Sequence, residues 1–331
     1  MRRKLFLHIG SHRTATTSIQ QFMHENLDRL EAQGILYPLR VARHQRLINK
    51  IFAGKLKSDE VAADLSRVAD ERKDPIKSIV LSDEDISIRD DLSALEGFKE
   101  HCDVKILFSM RRQDLWLESW YFQNIKWQWN KALSHCSFDE FMAQREAFHW
   151  IHYDRYVRML ENMFGAENIL LSVFEKDQMP GGPVVNFCRQ IGLTDLQGFS
   201  DPPHVNSSMS AEMVEFVRHM PLDQFEPPER DLLRRAFEAV DRTHLGNSGK
   251  QSELLMTPRQ RRKLLSEYEV GNQAVAKRYF NRDALFLDPP PKSDRPLAKL
   301  QIPSDSATLI NRIVAPLLVQ LVESGTIKGK D

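Results

Sequence analysis

The sequence predicts an α/β fold: a central, mostly parallel sheet covered on both faces by helices, followed by a helical C-terminal half. Three observations carry this. Four short apolar runs, "KLFLHIG" (4–10), "SIVLSDED" (78–85), "DVKILFSM" (103–110) and "NILLSVFEKD" (168–177), each end in polar residues. Amphipathic helical patterns lie between them, and strands that alternate with helices build parallel sheets. From about residue 205 the texture changes, and helical patterns follow one another without strand-like runs.

Taken in order, "KLFLHIG" reads as a buried strand ending at Gly10. "TSIQQFMHENLDRLEAQG" then places Ile19, Phe22, Met23, Leu27 and Leu30 on one face of a single helix, with Gly34 as its terminator. "YVRMLENMFG" (156–165) and "PVVNFCRQIG" (183–192) have the same 3.6-residue spacing, as do "SAEMVEFVRHM", "PERDLLRRAFEAVDR" and "TPRQRRKLLSEYEVGNQAVAKRYF" further on. "RQRRK" (259–263) reads as a solvated helix face. "DPPPKSDRP" (288–296) is a Pro-rich crossing, and a last helix interrupted by Pro316 starts near Ser306. The expected organisation is an α/β domain over 1–287, with helical additions from about 205, and a linker and C-terminal helix over 288–331 packed on the same domain.

Among 331 residues, 46 Lys and Arg balance 46 Asp and Glu, so no global field recruits nucleic acid or an anionic membrane, and any anion site is local. Cys102, Cys136 and Cys188 are widely spaced and form no CxxC pair, which argues against a zinc site and a disulfide framework. "MRRKLFLHIGSH" begins like a secretion signal, but its apolar run is too short. No apolar stretch approaches the roughly 18 residues of a membrane span. A cytoplasmic, metal-free protein is the expectation.

The chemistry concentrates at "GSHRTATT" (10–17). Against the nucleotide-binding pattern G-x-x-x-x-G-K-[ST], Gly10 and Thr17 fit, Ala15 replaces the second Gly, and Thr16 stands where Lys belongs. Without that Lys a triphosphate and its Mg²⁺ lose their main positive contact, which disfavours ATP hydrolysis and a P-loop kinase. What remains is a run of backbone N–H groups at a helix start, the hydroxyls of Thr14, Thr16, Thr17 and Ser18, and one cation, Arg13. Such a nest suits a terminal phosphate. An ordinary capped strand-to-helix turn is the plain alternative.

"LHIGSHRTATTSIQQFM" resembles the 5′-phosphosulfate loop of sulfotransferases that use 3′-phosphoadenosine 5′-phosphosulfate (PAPS), where the usual loop is "KTGTT" between a strand and a helix. "LFSMRRQDLWLESWYFQNIKW" (107–127) is similar to that family's 3′-phosphate segment, an Arg closing a strand and a Ser eight residues on: Arg111 and Ser119. "SIVLSDED" resembles the strand end of the bacterial and carbohydrate-type branch, in which a Glu is the base; Glu84 takes that place. Weaker echoes are "GILYP" (34–38), "VFEKDQMPGGPVVNFCRQIGL" (173–193), "VNSSMS" (205–210) and "GNQAVAKRYF" (271–280).

The resemblance implies a three-layer, P-loop NTPase-like fold and transfer of a sulfuryl group from PAPS to a hydroxyl or amine of a small-molecule, glycolipid or glycan acceptor. PAP is the product and no metal is needed. It implies that Arg13 and the amides of Thr14, Ala15, Thr16 and Thr17 face the leaving oxygen, and that Glu84 takes the acceptor's proton. Arg111 and Ser119 would hold the 3′-phosphate, Phe174 the adenine, and Lys250 in "GNSGK" a closing loop. Two positions depart from the family: Arg13 stands for its Lys and Ala15 for its Gly, the latter straining the loop if its φ is positive. Read alone, "IVLSDED" is a strand followed by a helix cap, with Asp83, Glu84 and Asp85 solvated at a helix start; a strand-end Asp83 on Mg²⁺ is the lesser rival. His12 rivals Glu84 as base, His8 is structural, and Trp116 and Trp120 belong to the core. Trp127 and Trp129 are candidates to stack on a sugar acceptor. A non-catalytic nucleotide-binding protein on the same fold is the alternative reading.

Overall fold

The computed structural model describes residues 2–200, 208–246, 254–292 and 294–324. The chain divides into two compact units. One comprises Met1–Gln113, Ala147–His204 and Leu265–Pro289; the other comprises Asp114–Glu146, Val205–Leu264 and Pro290–Asp331.

The first unit holds a five-stranded, all-parallel sheet: β1 (Arg3–Gly10), β2 (Ile35–Leu36), β3 (Ser78–Ser82), β4 (Cys102–Met110) and β5 (Ile169–Val173), in the order β2-β3-β1-β4-β5. Four of these are the four apolar runs of the sequence; β2, two residues long, carries too little pattern to be read. β1 is central, with Leu5 and Leu7 opposite Ile79 and Leu81 of β3 on one side and Val104 and Ile106 of β4 on the other. The strand order reverses at β1, so the carboxyl ends of β1, β3 and β4 border the crevice where open parallel sheets bind ligands. The register against β4 shifts between His8 and Gly10, where the strand bends away into its turn.

Both faces of the sheet are covered. Phe6, Val80 and Leu107 face Ile19, Phe22 and Met23 of α1 (Thr16–Glu25), Leu27 and Leu30 of α2 (Leu27–Ala32), and Phe187 and Ile191 of a later segment. The neighbour of Leu107, Phe108, points the other way onto Tyr153 and Tyr156 of the Tyr153–Phe164 helix, ring centroids 6.2 and 4.9 Å away. This period-2 alternation is what a sheet between two helical layers demands.

The single helix expected over residues 17–34 is two. Asn26 leaves helical geometry (φ −117°, ψ 24°) because its side chain is engaged elsewhere. Its amide donates to the Phe22 and Ser200 carbonyls at 2.8 and 3.1 Å, and its Oδ1 accepts from the Ser200 N–H at 2.8 Å. An Asn side chain that competes for main-chain groups ends helices. The apolar spacing survives the break, so the core face is the one expected.

In the second unit all described secondary structure is helical, including the helices Ala211–Arg218 and Pro227–Thr243. Its interior holds an ionic cluster. Arg261, 3% exposed, reaches Asp114 at 2.6 Å and Glu118 at 2.8 Å, and Glu118 also accepts the N–H groups of Leu255 and Met256, both at 2.8 Å. This corrects the reading of "RQRRK" as wholly solvated: Arg261 is the inward residue of that run. Trp116 and Trp120 are buried as expected.

The last helical run also departs from expectation. Ser306–Glu323 comprises Ser306–Leu309, a π-helical stretch Ile310–Val314 and Ala315–Glu323, the π turn accommodating Pro316. Its 18 residues have a mean hydropathy of 1.2, long and apolar enough by length and composition to cross a membrane, whereas the sequence reading found no such stretch. Arg312, in the middle of the run, pairs with Glu212 at 3.1 Å.

Candidate functional site

The site grows from the carboxyl ends of the strands in the first unit. Gly10 closes β1 at φ +93°, and a Cβ placed on it would lie 2.9 Å from the Glu84 Cβ. Only a residue without a side chain allows the two segments this close. The Ser11 N–H and hydroxyl both donate to the Ser109 carbonyl of β4, at 3.3 and 3.1 Å, and the Thr14 hydroxyl donates to the Ser11 carbonyl at 2.5 Å. The turn is thus tied to the sheet on one side and to itself on the other.

Arg13 (φ 66°) and Ala15 (φ 63°) both take left-handed backbone, which costs a non-glycine residue about 1–2 kcal/mol. The condition attached to Ala15 is therefore met: its φ is positive. α1 starts at Thr16 with no side chain capping it, so its first N–H groups point out of the helix end as a ready anion cradle. Burial pushes the Arg13 guanidinium below its ordinary pKa, the direction expected for a cation drawn out of water. The residues of the turn fit a phosphate or sulfate ester. Thr14 and Thr16 are buried, Ser18 is half-buried and Thr17 is exposed.

β3 ends in three successive carboxylates. Asp83 is fully buried and Glu84 is 7% exposed, so neither is the solvated helix-start residue of the plainer reading. One cation serves all three. Arg43 approaches Asp83 Oδ1 through Nε (2.7 Å) and Nη2 (2.6 Å), Glu84 Oε1 through Nη1 (3.2 Å), and Asp85 Oδ1 through Nη2 (2.6 Å). The second Glu84 oxygen accepts from Gln20 of α1 at 2.6 Å. Asp85 also accepts from Gln45 at 2.8 Å and faces His12 Nε2 at 3.1 Å.

Burial pushes the Asp83 carboxyl up to about 6, against the pull of Arg43. For Asp85 burial also acts upward, but His12 and Arg43 outweigh it and hold the carboxyl well below the usual range. The Arg43 guanidinium, penalised by burial, is carried above its ordinary value by Glu84, Asp83 and Asp85. Two histidines beneath are neutral. His8 contacts the Ser82 hydroxyl at 2.8 Å and the Phe187 ring, and burial brings it down to about 4. His44 accepts from the Ser82 N–H (3.1 Å) and donates to the Pro38 carbonyl (3.0 Å); burial brings it to about 4 as well.

At the end of β4, Arg111 donates from Nη1 to the Arg13 carbonyl at 2.9 Å, and its guanidinium carbon lies 5.6 Å from the centre of the Phe174 ring. Tyr153 holds the Arg111 main chain from both sides: its hydroxyl accepts from the Arg111 N–H at 3.0 Å and donates to the Arg111 carbonyl. The Phe174 N–H donates to the Met110 carbonyl at 2.7 Å, joining the ends of β4 and β5. Phe174, Met179, Pro180 and Pro183 line a largely apolar pocket of about 700 Å³, with the Gly181–Gly182 turn at its wall. Arg13, His12, Glu84, Arg111 and Phe174 are thereby brought to one edge of one sheet.

Ser119, Trp127 and Trp129 belong to the second unit. Arg234 lies over the Trp127 ring (4.3 Å) and Trp129 stacks on it (4.8 Å between centroids), with Trp129 itself 53% exposed. Lys250 lies outside the described residues. Arg43, Gln20, Gln45 and Tyr153 escape the sequence reading, since long polar side chains from unrelated segments leave no spacing to find. Gln20 alone had a signal, a polar residue at the inward position next to Ile19.

No family model matches the chain. A protein of Archaeoglobus fulgidus described as uncharacterized is 23% identical over 185 residues, 55% of this chain and 48% of that protein. The chain spans about half the length of this curated relative.

Proposed function

We propose that the chain is a PAPS-dependent sulfotransferase of P-loop-like fold, moving a sulfuryl group to a hydroxyl or amine of a small-molecule or glycan acceptor. The contact that carries this reading is Arg111 Nη1 to the Arg13 carbonyl. The Arg that the resemblance assigns to the 3′-phosphate thereby touches the turn that it assigns to the 5′-phosphosulfate. The apolar pocket beside Phe174 is the corresponding place for a purine.

PAPS supplies an activated sulfuryl group on a phosphate leaving group. The α1 N–H groups and Arg13 bind that phosphate and stabilise charge growing on it as the S–O bond breaks. Arg111 offers the planar, bidentate donor that a phosphate monoester takes best. Glu84, fixed by Arg43 and Gln20 next to Gly10, accepts the proton of the acceptor's hydroxyl or amine. Positioning and charge do most of the rest, as in phosphoryl transfer.

A non-catalytic PAP-binding protein is the second reading, favoured by the left-handed Arg13 and Ala15 in place of a permissive loop. Thermal unfolding with PAP, ADP and ATP–Mg²⁺ tests both: selective stabilisation by PAP is expected, and equal or absent shifts overturn both. Glu84→Gln then separates them. With a panel of glycan and phenol acceptors, PAP formation in wild type and its loss by about 10²–10⁴-fold in the variant, with PAP binding retained, supports the transferase.

A further inference from the structure

We propose that Arg43 is a positioning residue for Glu84, setting the direction in which that carboxylate faces the turn after β1; this rests on the sulfuryl-transfer reading. A glutamate has three rotatable bonds, and an unheld base samples many directions. Here both oxygens are fixed, one by Arg43 Nη1 at 3.2 Å and the other by Gln20 at 2.6 Å.

Arg43 is itself held rigid. Asp83, fully buried, anchors its Nε and Nη2 at 2.7 and 2.6 Å. Asp85 grips Nη2 at 2.6 Å and is kept in place by Gln45 and His12. Three carboxylates on consecutive residues repel one another, and the single planar guanidinium of Arg43 lies within ion-pair distance of all of them. An ammonium offers one point of charge and cannot span the set. The device is therefore specific to arginine. It also explains why a fully buried Asp83 is kept behind the base: it orients the cation that orients Glu84.

The upward push on Asp83, present even with Arg43 in contact, indicates how the cluster behaves once the cation is gone. The groups facing Arg43 that titrate are Asp83, Glu84 and Asp85, with His12 beyond Asp85 and His44 behind Ser82.

The experiment uses the full chain, wild type, R43Q and R43K, with PAPS cleavage to PAP in the presence of N-acetylglucosamine, an un-ionised hydroxyl, as probe acceptor. R43Q is expected to lose about 100-fold in kcat with KM for PAPS changed less than about threefold. Its acid limb should move up by about one pH unit. R43K should restore the acid limb but not kcat, because it returns the charge without the fork. It also keeps the test alive if R43Q does not fold. Carboxyl ¹³C NMR titration gives a readout without turnover: the Asp83 and Asp85 resonances should titrate at higher pH in R43Q. A wild-type chain that neither binds PAP nor cleaves PAPS sinks the transferase reading and leaves that titration standing as the test of Arg43. Unchanged kcat in R43Q, full activity in R43K, a kcat loss with an unmoved acid limb, or unmoved carboxyl titrations overturn the positioning role.

Discussion

The guanidinium of Arg111 donates to the main-chain oxygen of Arg13 at 2.9 Å, so two arginines 98 residues apart in sequence stand together at the edge of one sheet. One closes β4 and the other crowns the turn after β1, and parallel strands put both ends on the same side.

Arg111→Ala should therefore erase selectivity rather than binding as a whole. A charge-assisted contact to a phosphate is worth about 1.5–3 kcal/mol, so the preference for PAP over ADP should fall about 10–100-fold. Calorimetric titration with both nucleotides measures it, and an unchanged PAP-to-ADP ratio removes Arg111 from the 3′-phosphate.

Ala15→Gly should be neutral or stabilising. Relief of left-handed strain, about 1–2 kcal/mol, exceeds the added freedom of the unfolded chain, about 0.4–1 kcal/mol. Ala15→Val, β-branched at φ 63°, should lose stability. Urea unfolding should read Ala15→Gly at or above wild type and Ala15→Val below it, and an Ala15→Val as stable as wild type would contradict the turn geometry.

Stability between pH 4 and 6.5 should rise with pH. His8 and His44 titrate near 4 in the fold and near 6.5 unfolded, so their contribution is full above 6.5 and lost as pH falls toward 4. Asp83 acts in the opposite sense: raised from 3.8 to about 6, its contribution is present below 3.8 and lost as pH rises to 6. Two histidines outweigh one aspartate, leaving a net gain of about 3–4 kcal/mol across the window from these three groups. His8→Phe should flatten the slope, which unfolding free energies at several pH values measure; a stability that falls with pH would contradict the assignment.

In the second unit, Arg261→Ala should cost about 3–5 kcal/mol, since it strands Asp114 and Glu118 without their cation in a buried place. Loss of cooperative helix melting followed by circular dichroism is the readout, and a variant as stable as wild type refutes the cluster's structural role.

The four long strands were legible because each is a continuous apolar run closed by polar residues, the mark of a strand buried on both faces. β2 was not, since Ile35 and Leu36 are too short to show a period. The break at Asn26 was missed because the apolar spacing continues across it, while the side-chain bonds to Phe22 and Ser200 that cause it depend on a partner 174 residues away. The placement of Arg13, Glu84 and Arg111 just past strand ends was legible because each follows an apolar run. Arg43 was not: nothing in "RVARHQ" announces that its guanidinium meets three carboxylates 40 residues on.

The absent side chain at position 10 has a wider meaning. Because a methyl there would press on Glu84 itself, the opening of the turn and the Glu84 side chain form one steric unit, and neither can drift without the other. A chain of this fold that gained any larger residue at that spot would keep every reactive group in its sequence and still be unable to bring them together.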